Sequence, residues 1–175
     1  MSSNNIMVDI ETTGIDSSHC AMIQLAAVRF DLDARTVDMS MFDRCLAIPP
    51  GRFWDEGTRE WWGKQKPEVI QGIYARMEDP VRVMHDFARW CGEGAILWAK
   101  PTHFEFPFLQ SYAAMTGAQL PFAYWAANDL NSWCRAHGHD RLDKDLEFEG
   151  DEHNALHDVL HQIKTVFELR NRIDG

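Results

Sequence analysis

The stretch IMVDIETTG at residues 6–14 constrains this chain more than any other. Ile6, Met7, Val8 and Ile10 read as a strand meant for the interior, yet Asp9 and Glu11 interrupt them. Side chains alternate along a strand, so the two carboxylates point the same way. Like charges side by side repel, and buried carboxylates are costly without compensation. Either the strand end reaches solvent, or a divalent cation lies between the two acids. The rest of the chain has to choose.

With 175 residues the chain is long enough for one domain with a real core. Hydrophobic residues make up 45% and charged residues 25%, as in ordinary globular proteins. No apolar run approaches the ~20 residues of a membrane helix, so no membrane partner is expected. The opening MSSNNIMVDIETT lacks the basic-then-apolar order of a signal peptide. Cys20, Cys45, Cys91 and Cys134 are far apart and form no CxxC. Reduced thiols in a cytoplasmic setting are the expectation, and a cysteine-built zinc cluster is not. The net charge of −10 argues against a broad basic surface for nucleic acid. It leaves room for an enzyme whose bound cations neutralise carboxylates locally. The cationic residues are scattered, apart from a modest cluster at Arg59, Lys64 and Lys66.

Periodicity predicts strands at 5–10, 22–32 and 39–48, with DARTVD as a hairpin turn, so the chain opens as a three-stranded antiparallel meander. Helices follow: TREWWGKQ, then a segment with Pro67 in its first turn, then one that puts Val81, Met84, Phe87, Ala88 and Cys91 on one face before Gly92. AILWAK is a short strand, FEFPFLQSYAAMTG a helix closed by Gly117, AYWAAND another short strand and DLNSWCRAHG a further element. A long helix over about 154–172 ends the chain. Strands first, then alternating helices and strands, give an α/β fold with a mixed sheet and packed helices.

Two further constellations carry chemistry. Glu105 lies between Phe104 and Phe106 at a helix start, where the dipole favours a carboxylate. EHNALHDVLH, at 152–161, has His153 and His157 four apart like a zinc protease, but Asn154 stands where that motif needs its general base. The pairing of interest is His153 with Asp158. Five residues of regular helix turn by about 500° and leave the two ~140° apart. They share a site only if His153 lies at or before the helix start. Asp9, Glu11, Glu105 and Asp158 are then four hard oxygen donors suited to Mg²⁺ or Mn²⁺. Two such ions can clamp the oxygens of a phosphodiester, and His153 can take a proton from the attacking water.

DIETTG, the carboxylate after WAKPTHF, and His-x4-Asp near the C-terminus resemble the DEDDh group of 3′-to-5′ exonucleases, of ribonuclease H-like fold. The closer likeness is to phage and prophage exodeoxyribonuclease VIII-like and mycobacterial exoribonuclease-like proteins. It is carried by the tryptophan pair of EWWGKQ, the LWxK strand and FEGxxHNALxDxxxQ. The likeness spans about residues 5–170. It implies a single exonuclease domain over 1–175, with three antiparallel strands followed by parallel ones and helices on both faces. It also implies two Mg²⁺ or Mn²⁺ ions and a single-stranded DNA or RNA 3′ end as substrate. The setting would be the cytoplasm of a bacterium or phage-infected host, with a homodimer as one arrangement.

Position by position, the resemblance makes Asp9 and Glu11 ligands of both ions, Asp158 the ligand of the firmer one, and His153 the general base. Thr12 and Thr13 would line the nucleotide pocket, with Trp61, Trp62 and Gln65 near the 3′ end, although a helical tryptophan pair is more often a core feature. Asp129 matches a polar position of the phage-type enzymes and is also a natural helix N-cap. Where the group presents Asp in its second motif, this chain has Glu105, one methylene longer. That departure motivates an alternative: a weak or inactive nucleic-acid end-binding protein that keeps the fold.

Overall fold

The computed structural model describes residues 4–175. Strand β1 (Asn5–Thr12) pairs antiparallel with β2 (Met22–Asp31), which pairs antiparallel with β4 (Phe42–Leu46). This is the expected meander, with the third strand shorter than 39–48. Residues 36–37 of the expected turn instead form β3 (Thr36–Val37) against β2. Then come α1 (Glu56–Trp62), α2 (Pro67–Ala75), β5 (Met77–Glu78) and α3 (Pro80–Cys91). The last elements are β6 (Ile96–Ala99), α4 (Thr102–Thr116), β7 (Ala127–Asp129), α5 (Leu130–Ala136) and α6 (Ala155–Asp174).

The sheet runs β5-β4-β2-β1-β6-β7, with β6 parallel to β1 and β7 parallel to β6. β1 and β2 are central and covered on both sides, hence their nearly continuous apolar runs. Ile6, Val8 and Ile10 join one core with Phe87 of α3 and Phe108 of α4. Met7 faces the opposite way, into a core with Trp98, Val159 and Ile163 beneath α6. Helices therefore cover both faces. By alternation Asp9 and Glu11 follow Met7 onto the α6 side, which continues the apolar stripe with charge. No helix among the described residues is long and apolar enough to cross a membrane.

The turns that bring the site together depend on local chemistry. The β1–β2 pairing shifts register between Glu11 and Thr12, a bulge-like irregularity of the kind that re-aims side chains. Beyond it the chain passes so close to Cys20 and Asp55 that a Cβ on Gly14 would collide with Cys20 Sγ. Pro67 opens α2 and Gly117 ends α4 in the left-handed conformation. Asn154 caps α6, its Oδ1 accepting the Leu156 N–H at 3.2 Å.

Candidate active site

Asp9 and Glu11 from the end of β1 meet Asp158 from the first turn of α6. One carboxylate oxygen from each lies within 4.8 Å of the others. Glu105, in the first turn of α4, is 2% exposed and outside this trio, but it is near enough that the Asp9 charge acts on it. Both helical acids occupy N-terminal turns, where the dipole favours negative charge.

Burial and crowding dominate the electrostatics. Burial, then the Asp158 charge, holds Asp9 well above the usual carboxylate range. Burial, then the charges of Asp9, Asp158 and Glu105, does the same to Glu11. Burial and the Asp9 charge push Glu105 up to about 9. Burial pushes Asp158 up to about 6, although it accepts the His153 backbone N–H. Glu105 Oε2 is buried with no hydrogen-bond partner among the described residues. Four hard donors in mutual repulsion, one with an orphaned buried oxygen, suit a divalent cation.

Two glutamines and a lysine brace this floor. Gln162 Nε2 donates to Asp9 Oδ1 at 2.7 Å. Gln24, fully buried and opposite Glu11 in the ladder, accepts the Ala155 N–H at 3.2 Å and so ties the start of α6 to β2. Lys100 follows β6, donates to Asp143 Oδ2 at 2.6 Å, and its charge favours the ionised forms of Asp9, Glu105 and Asp158. Sequence reasoning quotes Lys100 and Gln162 as motif letters but assigns none of the three a role. The lysine of LWAK and the final glutamine of the C-terminal motif are the available signals.

His153 precedes the α6 cap with φ +63°, a left-handed conformation uncommon for a non-glycine residue. The bend lies before the helix begins, which is the arrangement that a site shared with Asp158 would require. Its ring meets Trp61 edge-on, with centroids 4.6 Å apart, and burial holds the imidazole below its ordinary range. Beside it a cleft of about 440 Å³ is lined by Lys64, Gln65, Lys66, Phe148 and His153. Lys66 Nζ donates to Asp151 Oδ1 at 2.7 Å, joining α2's entry to the loop that carries His153. Gly150 in that loop has φ +104°, and a Cβ there would strike the His157 ring at 2.6 Å. His157 is thereby occupied under the loop, accepting the Asp151 N–H at 2.9 Å.

The residues expected to contact substrate also have partners within the fold. Trp62 is 4% exposed, and its Nε1–H donates to the Thr12 carbonyl at 3.1 Å. Trp61, not Trp62, is the tryptophan half-open to solvent beside His153. Thr13 is fully buried and its hydroxyl is spent, donating to Phe53 O at 2.7 Å and accepting the Ala21 N–H at 2.7 Å. It pins the loop that follows β1. Asp129 caps α5 through the Ser132 N–H at 2.7 Å and also accepts the Thr102 N–H of α4 at 2.9 Å. Burial raises its carboxyl, but these bonds outweigh that and hold it low. Its reach is to two helix starts, one of which carries Glu105. Thr12 is nearly buried, its hydroxyl donating to Gly14 O at 2.8 Å. Gln65 lines the cleft and donates to Trp61 O at 3.2 Å.

Residues 4–169 match the family described as the 3′-5′ exoribonuclease Rv2179c-like domain. No curated protein matches the chain by sequence. The zinc-bound form of the E. coli exonuclease I–single-stranded DNA complex superposes with a TM-score of 0.80. Its identity is 16%, over 98% of this chain and 41% of that one. E. coli exonuclease I in complex with a dA16 oligonucleotide gives 0.77 at 16%, over 97% and 41%. S. pombe Pop2p in its Mg²⁺- and Mn²⁺-bound form gives 0.71 at 14%, over 97% and 84%. The chain spans about two fifths of the exonuclease I chains it matches. At these identities the likeness establishes the ribonuclease H-like fold.

Proposed function

The chain belongs to the Rv2179c-like 3′-5′ exoribonuclease domain family, and on that premise we propose that it is a metal-dependent 3′-5′ exonuclease. It releases nucleoside 5′-monophosphates from single-stranded DNA or RNA, and 1–175 works as one exonuclease domain. The observation that carries this reading is the convergence of Asp9, Glu11 and Asp158 within 4.8 Å.

Asp9, Glu11, Asp158 and Glu105 would hold two Mg²⁺ or Mn²⁺ ions, which when bound supply Lewis acidity and countercharge to the phosphodiester. The carboxylates would fix where that charge sits and so where the scissile group is held. His153, whose imidazole burial holds below its ordinary range, would accept the proton of the attacking water at a ring nitrogen. Trp61 offers a face for the terminal base, while Gln65 and the nearby lysines receive the phosphate path. Thr12 carries its part through the backbone turn after Glu11. The single-stranded substrate and the choice of ions extend to this chain what the exonuclease I and Pop2p structures are named for.

A second reading, a weak end-binding protein, draws on Glu105 standing outside the acidic trio. One assay separates them. 5′-labelled single-stranded DNA and RNA are incubated with the protein in Mg²⁺, Mn²⁺ or EDTA, beside Asp9→Ala, His153→Ala and Glu105→Asp. The expected result is a ladder shortening from the 3′ end, lost in EDTA and with Asp9→Ala. His153→Ala is expected to slow it by on the order of 10²-fold or more. No ladder from the natural protein, and one from Glu105→Asp, would favour the second reading.

A further inference from the structure

Resting on the metal-site reading above, we infer that Gln162 is a positioning residue of the metal centre: its amide holds one oxygen of Asp9 and so aims the other at the ion. Gln162 lies four residues beyond Asp158 on α6, and the two side chains share a helix face. It is 6% exposed, and Val159, Ile163 and Val166 are buried on the same helix. An amide in such surroundings is costly unless hydrogen-bonded. The bond it makes crosses from helix to strand, with Nε2 donating to Asp9 Oδ1 at 2.7 Å. Its own Oε1 is buried and without a partner among the described residues. Half of the amide is thus left unsatisfied while the other half is committed to the carboxylate.

Turning the amide over would set a carbonyl oxygen against a carboxylate oxygen, two acceptors face to face. The donor side therefore belongs on Asp9. With Oδ1 held, the carboxylate cannot rotate freely about its last bond, and its second oxygen keeps one direction. Ligating carboxylates elsewhere are oriented in the same manner by partners of their own. The residue type is also suited to the task. A lysine or arginine here would compete with a cation, and a glutamate would add a fifth carboxyl to four that already repel. Glutamine orients without charge. Because it stands on the helix of Asp158, it also couples the two ligands that come from different elements.

The test is calorimetric titration of Mn²⁺ into the metal-free full chain. It compares the natural protein with Gln162→Met and Gln162→Leu, which keep bulk but lose the donor. Thr165→Val is the control: its buried hydroxyl donates to His161 O at 2.9 Å on the same helix and touches no carboxylate. Both Gln162 variants are expected to bind Mn²⁺ about 10- to 100-fold more weakly with an unchanged circular dichroism spectrum. Thr165→Val is expected to keep the natural affinity. Unchanged affinity in either folded Gln162 variant would overturn the inference, as would an equal loss in Thr165→Val. A natural protein that binds no Mn²⁺ contradicts the metal-site reading itself, so the two failures are distinguishable. If the Gln162→Met variant misfolds, Gln162→Leu carries the comparison. Gln162→Asn, one methylene too short to reach Asp9, is expected to weaken Mn²⁺ in the same range, and natural affinity there would count against the inference.

Discussion

Asp9, Glu11 and Asp158 form a floor whose members are buried or half-buried and issue from regular elements, a central strand and a long helix. His153, Trp61, Lys64, Gln65 and Lys66 form a rim that issues from a short helix and two loops, held by ring contacts and an exposed ion pair. The floor lies where charge is costly, so its carboxylates are raised by desolvation and by one another. The rim lies where solvent screens charge, and its Lys66–Asp151 pair is the kind that adds little stability. The contrast divides the labour. Rigid buried acids suit a fixed charge arrangement for chemistry, and an adaptable exposed edge suits the proposed single-stranded substrate.

The largest effect belongs to the floor. Asp158→Asn is expected to lower kcat by roughly 10³-fold or more, several kcal/mol of lost charge stabilisation, with KM for an oligonucleotide little changed. Steady-state kinetics at saturating Mn²⁺ check this, and a change confined to KM would break the division. At the rim, Trp61→Ala is expected to raise KM by roughly 5- to 150-fold, the worth of about 1–3 kcal/mol of base stacking, with the melting temperature kept. Its neighbour sharpens the contrast: Trp62→Ala empties a buried site and is expected to cost about 3–5 kcal/mol of stability, read by chemical denaturation.

A smaller effect concerns pH. The floor acids have folded-state values above their unfolded ones near 4, with Asp158 at about 6 and Glu105 at about 9. The folded, metal-free chain therefore binds more protons than the unfolded chain across this window. The stability these groups contribute is full below about pH 4 and is lost as pH rises toward 9. Thermal unfolding in EDTA is expected to show a melting temperature that falls from pH 5 to 9. Excess Mg²⁺ is expected to restore it most at the upper end, because a ligand that binds only the folded state stabilises it. A melting temperature that rises with pH in EDTA would show that burial and mutual repulsion do not raise these acids as described.

The floor is the legible part. Asp9 and Glu11 follow from strand alternation alone, and the angular mismatch between His153 and Asp158 requires a bend before α6, where the chain has φ +63°. The rim is not legible in the same way. Helix α1 has seven residues, too few for periodicity to say which of two adjacent tryptophans faces inward, and packing against the Thr12 carbonyl decides it for Trp62. Thr13 and Asp129 are polar residues next to motif positions, and whether such a group faces a ligand or a backbone N–H depends on loops remote in sequence. Gln162 is legible as the last letter of the C-terminal motif, on the helix face of Asp158, but only the fold reveals Asp9 opposite it. The two-residue strands β3 and β5 are too short to carry an alternating pattern.

The measurement that bears most directly on the floor as a metal platform is an anomalous difference map from crystals of the full chain grown with Mn²⁺. The expected result is a peak bounded by Asp9, Glu11 and Asp158, with a second peak on the side of Glu105. Crystals that take up Mn²⁺ at other carboxylates while these four remain without a peak would contradict it.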